Sequence, residues 1–149
     1  MANTYSQLYV HIIFSVKNRE PLIKDSFRNE LFSYIGGIIK NKNQKPLAIN
    51  GTENHIHLLV GIKPDISLSD LVREIKSNSS KFINEQKYLG TKFNWQEGFG
   101  AFSYSHSQLT TVIKYINNQL EHHKKKTFAD EYKGFLKKFN IEYDEKYVL

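Results

Sequence analysis

In the run Asn54-His55-Ile56-His57-Leu58-Leu59-Val60, two imidazoles are separated by a single apolar residue. Side chains at i and i+2 of a β-strand leave the same face, so His55 and His57 stand side by side while Ile56 turns to the opposite layer. Such a pair is either half of a metal site or two sheet histidines satisfied by hydrogen bonds. Downstream, in a stretch of helical periodicity, Tyr115 and Gln119 are spaced i, i+4, which puts them one turn apart. They offer a phenol and an amide oxygen to the same object, a nucleophile and a ligand on one helical turn.

The composition narrows the chemistry. No cysteine occurs among the 149 residues, which excludes disulfides, thiolate zinc sites and cysteine nucleophiles and leaves His, carboxylate, amide and hydroxyl groups for these roles. Hydrophobic residues make up 40% and charged residues 24%, the balance of a folded chain long enough for one domain, 1–149. The net charge of +6 and pI near 9.4 admit a polyanionic partner such as nucleic acid, and an unspecialised basic surface explains them equally well. Arg73, Lys76, Lys81 and Lys114 are the candidate DNA-binding cations. The start, Met1-Ala2-Asn3-Thr4-Tyr5, lacks a basic segment followed by an apolar one, and no apolar run reaches membrane-spanning length, so a cytoplasmic protein is expected.

The elements that must position these groups follow from periodicity. Leu8, Val10, Ile12 and Phe14 alternate with Tyr9, His11, Ile13 and Ser15, which predicts a first strand ending near Lys17. Phe27, Leu31, Tyr34, Ile35 and Ile38 predict a helix capped at Asp25 or Ser26 and running to about Asn41. Residues 46–49 and 55–62 read as strands joined around Asn50-Gly51, a turn-forming pair. After Asp65-Ile66-Ser67, a second helix would bury Leu68, Leu71, Val72, Ile75 and Phe82, with Ser79 a further candidate. Residues 93–105 read as extended chain with a bend, and Gly98-x-Gly100 lacks the third glycine of a dinucleotide fingerprint. Ser107 would cap a third helix running to about Lys125. Its stripe Leu109, Ile113, Ile116, Leu120 would face the sheet, and Tyr115, Gln119 and His122 would lie roughly 120° away at ~100° per residue. A fourth helix spans residues 128–138. The order β-α-β-β-α-β-α predicts an α+β, ferredoxin-like or RRM-like antiparallel sheet with helices packed on it. His11 reads as structural, His122 and His123 as DNA contacts or a solvated helix end, and Trp95, Phe99, Phe102 and Tyr104 as core aromatics.

The chain resembles the HUH-type single-tyrosine transposases of the smallest bacterial insertion sequences. The resemblance is carried by residues 54–60, by Trp95-Gln96-Glu97-Gly98-Phe99-Gly100-Ala101-Phe102-Ser103, by Tyr115-Ile116-Asn117-Asn118-Gln119 and by His122-His123, and it extends from the first strand to Ile141-Glu142-Tyr143-Asp144. It implies that His55, His57 and Gln119 bind a divalent metal and that Tyr115 is the nucleophile. The tyrosine would attack single-stranded DNA at hairpin-bearing element ends, forming a 5′-phosphotyrosine and releasing a 3′-OH. It also implies a homodimer in which the tyrosine helix of one subunit can complete the site of the other. Three neutral ligands would leave the cation's charge undiminished at the phosphate, and imidazole with open positions suits Mn²⁺ or Mg²⁺. A phenol with an ordinary pKa of about 10 needs help to ionise. A covalent ester conserves the phosphodiester's energy, so no nucleotide cofactor is expected. Two rival functions share these residues: a domesticated module that binds nucleic-acid hairpins without transposing, and a metal-dependent phosphohydrolase that uses water instead of Tyr115.

Overall fold

The computed structural model describes residues 4–147; the reading made on Met1-Ala2-Asn3 and the ends of the 1–149 domain lie outside the described residues. Four strands, β1 (Tyr9–Ser15), β2 (Lys45–Gly51), β3 (His55–Gly61) and β4 (Gly100–Tyr104), form one sheet in the order β2-β3-β1-β4. Every neighbouring pair is antiparallel, which with helices between β1 and β2 and between β3 and β4 is the ferredoxin-like α+β arrangement.

The two-residue period sorts the central strands into two faces. Ile12, Phe14, Ile56, Leu58 and Val60 point into one core with α1 (Asp25–Asn41) and α2 (Leu68–Gln86), which contribute Phe27, Leu31, Ile35 and Ile39, and Leu71, Val72 and Ile75. The opposite face carries His11, Ile13, His55, His57 and Leu59. It is covered by α3 (Leu109–Asn117), α4 (Gln119–His122) and α5 (Phe128–Lys138). Val112 and Ile116 of α3 pack on Leu59, while Phe128, Tyr132 and Leu136 of α5 pack on Ile13 and Phe102. The face on which RRM-type sheets stack bases is therefore occupied by the chain's own helices. Among the described residues, no helix is long and apolar enough to cross a membrane.

Several sequence expectations change in ways that matter for the site. Asn50-Gly51 does not form the hairpin turn: both stay in β2, opposite His57 and Ile56, and residues 52–54 make the connection. Gly51 is needed there for close approach, since a Cβ would lie 2.2 Å from the His55 carbonyl oxygen. The third helix does not run to Lys125 but breaks at Asn118 (φ −103°, ψ 24°), and its approach is capped by Ser105, not Ser107. The break turns Gln119 inward and leaves Leu120 53% exposed, so Val112 replaces Leu120 in the buried stripe with Ile116. Helix α1 starts after Lys24 without a side-chain cap; Asp25 pairs with Arg28 instead, at 2.6 Å. Ile39 rather than Ile38 is fully buried, and Tyr34 stays exposed, stacked on Phe82 at 4.1 Å. Ser67 caps α2 by accepting from the Asp70 N–H at 3.0 Å.

Two glycines should respond oppositely to alanine. Gly51→Ala should destabilise by about 3 kcal/mol, because the obstructing atom is backbone. Gly37→Ala, within α1 with nothing near the added Cβ, should stabilise by about 0.5–1 kcal/mol. Urea midpoints of the two variants check both signs.

Candidate active site

His55 and His57 are fully buried at adjacent same-face positions of β3, opposite Ser15 and Ile13 of β1. The hairpin connection orients His55: its Nδ1 lies 2.8 Å from Asn54 Oδ1 and 3.0 Å from Thr52 Oγ1. An amide oxygen only accepts, so the proton of a neutral His55 sits on Nδ1 and its Nε2 lone pair turns inward. That nitrogen meets Gln119 Oε1 at 3.2 Å and Glu131 Oε1 at 3.5 Å. The Gln119 amide is oriented by its own Nε2, which donates to the Tyr115 carbonyl at 3.4 Å. Acceptors therefore face acceptors, an arrangement relieved by a proton on His55 or by a cation among them. Burial pushes His55 down to about 4 despite the opposing pull of Glu131, which removes the proton at neutral pH. The donor set fits a cation.

His57 is held in the same manner from β1. Its Nδ1 lies 2.8 Å from His11 Nε2, a diagonal neighbour across the strands, and its Nε2 lies 3.1 Å from Glu131 Oε1. Burial lowers the pKa of both rings, in His11 well below the ordinary value. Outer partners of this kind set which ring nitrogen faces a metal. His11 is thus more than a packing residue.

The group that gathers the site, Glu131, is absent from the sequence expectations. It is 4% exposed on α5, and its Oε1 also reaches His123 Nε2 at 3.0 Å, while Oε2 accepts from the Tyr115 hydroxyl. Burial alone would raise its pKa, but the imidazoles of His123, His55 and His57 gathered around it outweigh burial and hold the carboxyl well below the usual carboxylate range. The ligand atoms of His55, His57, His123 and Glu131 all lie within 4.8 Å of one another, a group that could hold a metal ion. His123 thus enters the site rather than ending a solvated helix, because the break at Asn118 redirects the chain. Glu131 adds one negative charge to a ligand set expected to be neutral. The signal for it was a lone carboxylate on the apolar stripe Phe128, Tyr132, Phe135, Leu136.

Tyr115 is partly buried beside this cluster, its ring stacked on His122 with centroids 4.4 Å apart and lying 6.0 Å from that of His57. Burial raises its pKa, and the charge of Glu131 and the hydrogen bond to it raise it further, so the phenol keeps its proton here. Asn50 secures the helix end: its Nδ2 donates to the carbonyls of Ile116 and Asn117, both at 3.0 Å. The four residues His55, His57, Tyr115 and Gln119 come together within one chain.

The candidate DNA-binding cations do not converge with them. Arg73, Lys76 and Lys81 lie on α2, behind the opposite sheet face. Arg73 pairs with Asp70 at 2.8 Å and Lys81 lies 3.9 Å from Glu85. Lys76 is half-buried, lowered to about 8 by burial, and donates to the carbonyls of Gln96 and Gly98 at 2.8 and 2.6 Å. Lys114 is exposed on α3, next to Tyr115 in the chain.

Residues 4–119, from the first described residue to Gln119, match the family model described as "Transposase IS200 like". The transposases of the IS200 insertion element from Salmonella typhimurium and Salmonella typhi are each 28% identical to this chain over 130 residues, spanning 83% of it and 84% of the relative. The fold is similar to the crystal structure of a Deinococcus radiodurans protein assigned as a transposase (TM-score 0.63, 21% identity, 80% of this chain and 95% of the other). It is also similar to a REP-associated tyrosine transposase bound to a REP hairpin (TM-score 0.60, 17% identity, 82% and 73%). Glu131 and His123 lie beyond the matched family segment.

The lowered pKa of His55 fixes a pH dependence. The unfolded chain takes up a proton near pH 6.5 that the folded site accepts only near 4, so stability is full above pH 6.5 and falls as the pH drops toward 4. Between pH 7 and 5 this one group should remove roughly 2 kcal/mol, measured with urea in the presence of a chelator. The loss should shrink in His55→Gln.

Proposed function

From a chain that belongs to the IS200-like transposase family, we propose a specific reaction: metal-dependent cleavage and rejoining of single-stranded DNA at hairpin-bearing element ends, with Tyr115 as nucleophile. The observation that carries this reading is the shared carboxylate of Glu131, which binds the Tyr115 hydroxyl on one oxygen and the inward nitrogens of His57 and His123 on the other. Nucleophile and ligands thus form one hydrogen-bonded unit.

His55 and His57 present neutral Nε2 atoms, fixed by Asn54 and His11, and Gln119 presents its amide oxygen. These three are the proposed metal ligands, with Glu131 and His123 in reach of the same ion. A divalent cation there, Mg²⁺ or Mn²⁺, supplies Lewis-acid polarisation of the scissile phosphate. Tyr115 Oη bonds to phosphorus as the bond to the 3′ oxygen breaks, and the phenol proton passes to Glu131 Oε2. The 3′ oxygen leaves and takes up the proton that Glu131 has received, giving a 3′-OH and a 5′-phosphotyrosine and restoring the carboxylate. Because the phenol's pKa is raised, the proton moves only as the bond to phosphorus forms. The reverse attack of a 3′-OH on the phosphotyrosine reseals DNA without a nucleotide cofactor. The structural neighbour bound to a REP hairpin supports a hairpin substrate. The remaining elements of the proposal are one catalytic domain spanning the chain, a homodimer, a cytoplasmic setting, and phosphate contacts from Lys114, Arg73, Lys76 and Lys81.

Incubation with single-stranded element-end DNA and Mn²⁺ or Mg²⁺ should give an SDS-resistant adduct that is lost with a chelator. Tyr115→Phe should lower it by at least about 1000-fold. An adduct that persists in Tyr115→Phe would overturn the assignment. Salt-sensitive binding with no covalent product under either metal would favour the binding module, and phosphodiester turnover indifferent to Tyr115→Phe would favour the phosphohydrolase.

A further inference from the structure

Beside Tyr115 lies a cavity that the cut-and-join chemistry leaves unused. It measures about 510 Å³ and sits between the sheet, α3 and α5, within the range of pockets that enclose small organic groups. Its walls include His11, Tyr104, Tyr115 and Phe135, with Lys126 and Lys138 among them. Lys138 Nζ stands 5.8 Å from the Tyr104 ring centroid, and Phe135 meets the His11 ring edge-on at 5.2 Å. Glu131 also lines the cavity, which disfavours a small free anion, and such an anion would leave Tyr104 and Phe135 without a role. Aromatic walls, the polar side chains of Ser107, Gln108 and Thr111 inside and cations nearby are the requirements of an aromatic heterocycle attached to a phosphodiester.

We propose that this cavity receives one nucleobase of the single-stranded DNA, that of a nucleotide next to the scissile phosphate. The proposal rests on Tyr115 being the nucleophile, since Tyr115 forms part of the cavity wall and so places the reacting phosphate at its edge. Ser107, Gln108 and Thr111 supply the polarity: their side chains both donate and accept, and the edge of a base presents the matching acceptors and donors.

Gly134 permits a test that does not threaten the fold. It lines the cavity from α5, is exposed at its mouth, and has nothing within 4 Å of an added Cβ, so Gly134→Leu fills open space. Strands carrying 2-aminopurine or an abasic site at either nucleotide flanking the scissile phosphate are compared on the wild-type protein and on Gly134→Leu. In the wild type, 2-aminopurine fluorescence should be quenched on binding at one of the two positions, and the abasic strand should bind and form adduct about tenfold less well. Gly134→Leu should lose the quench and show the tenfold deficit with the intact strand, with no further loss when the base is also missing. Equal processing of abasic and intact strands, multiplying deficits, or no quench at either position overturns the pocket. A quench without any adduct overturns the Tyr115 reading while supporting the pocket.

Discussion

The carboxylate of Glu131 is the constraint on which the site depends. Taking a charge out of water costs several kcal/mol unless partners replace the solvent; here the Tyr115 hydroxyl donates to one oxygen and the ring nitrogens of His57 and His123 close on the other, where a cation would complete the compensation. Those partners come from β3, α3 and the segment after α4, while Glu131 comes from α5. One buried charge thus ties together elements that also meet through ring and apolar contacts such as Phe128 with His55 and Ile13. Removing it would leave the Tyr115 hydroxyl without its acceptor and the three imidazoles without the group they converge on.

The sheet makes this cluster possible by being covered on both sides. β1 and β3 occupy its centre, so water is excluded from His11, His55 and His57 just as from Ile12 and Leu58 on the reverse. Exclusion of water keeps the imidazoles neutral, which is the state a ligand needs, and sharpens every interaction among them. The same burial would be a defect if the inward nitrogens lacked partners. Asn54, Thr52 and His11 hold the outer nitrogens, and the inner ones converge on Glu131 and Gln119 as a donor set for a cation, so polarity is concentrated in one patch inside an apolar layer.

Much of this was legible from residue order. The His55/His57 pair was readable because strand side chains alternate, and Tyr115 and Gln119 because an i, i+4 pair shares a helix face. The element order carried the topology. What escaped was set by contacts distant in sequence. The break at Asn118 is stabilised by Asn50 of β2, and the local signal, the pair Asn117-Asn118, is weak because asparagine only modestly disfavours helix. His123 reaches the site only because of that break. Glu131 was hidden differently: acidic residues on helices are normally solvated, and only its place on an apolar stripe distinguished it. Asn50-Gly51 misled because its turn propensity is strong, whereas tertiary pairing with β3 kept both residues in the strand.

Residues 50–54 carry a consequence beyond their role as a hairpin. Asn50 grips the end of the helix that bears Tyr115, while Asn54 and Thr52 set the orientation of His55. Ligand and nucleophile are therefore mounted on a common bracket. The spacing between the imidazole and the phenol is thus set by a stretch of five residues, and a change in the length of that stretch would alter both ends of the site at once.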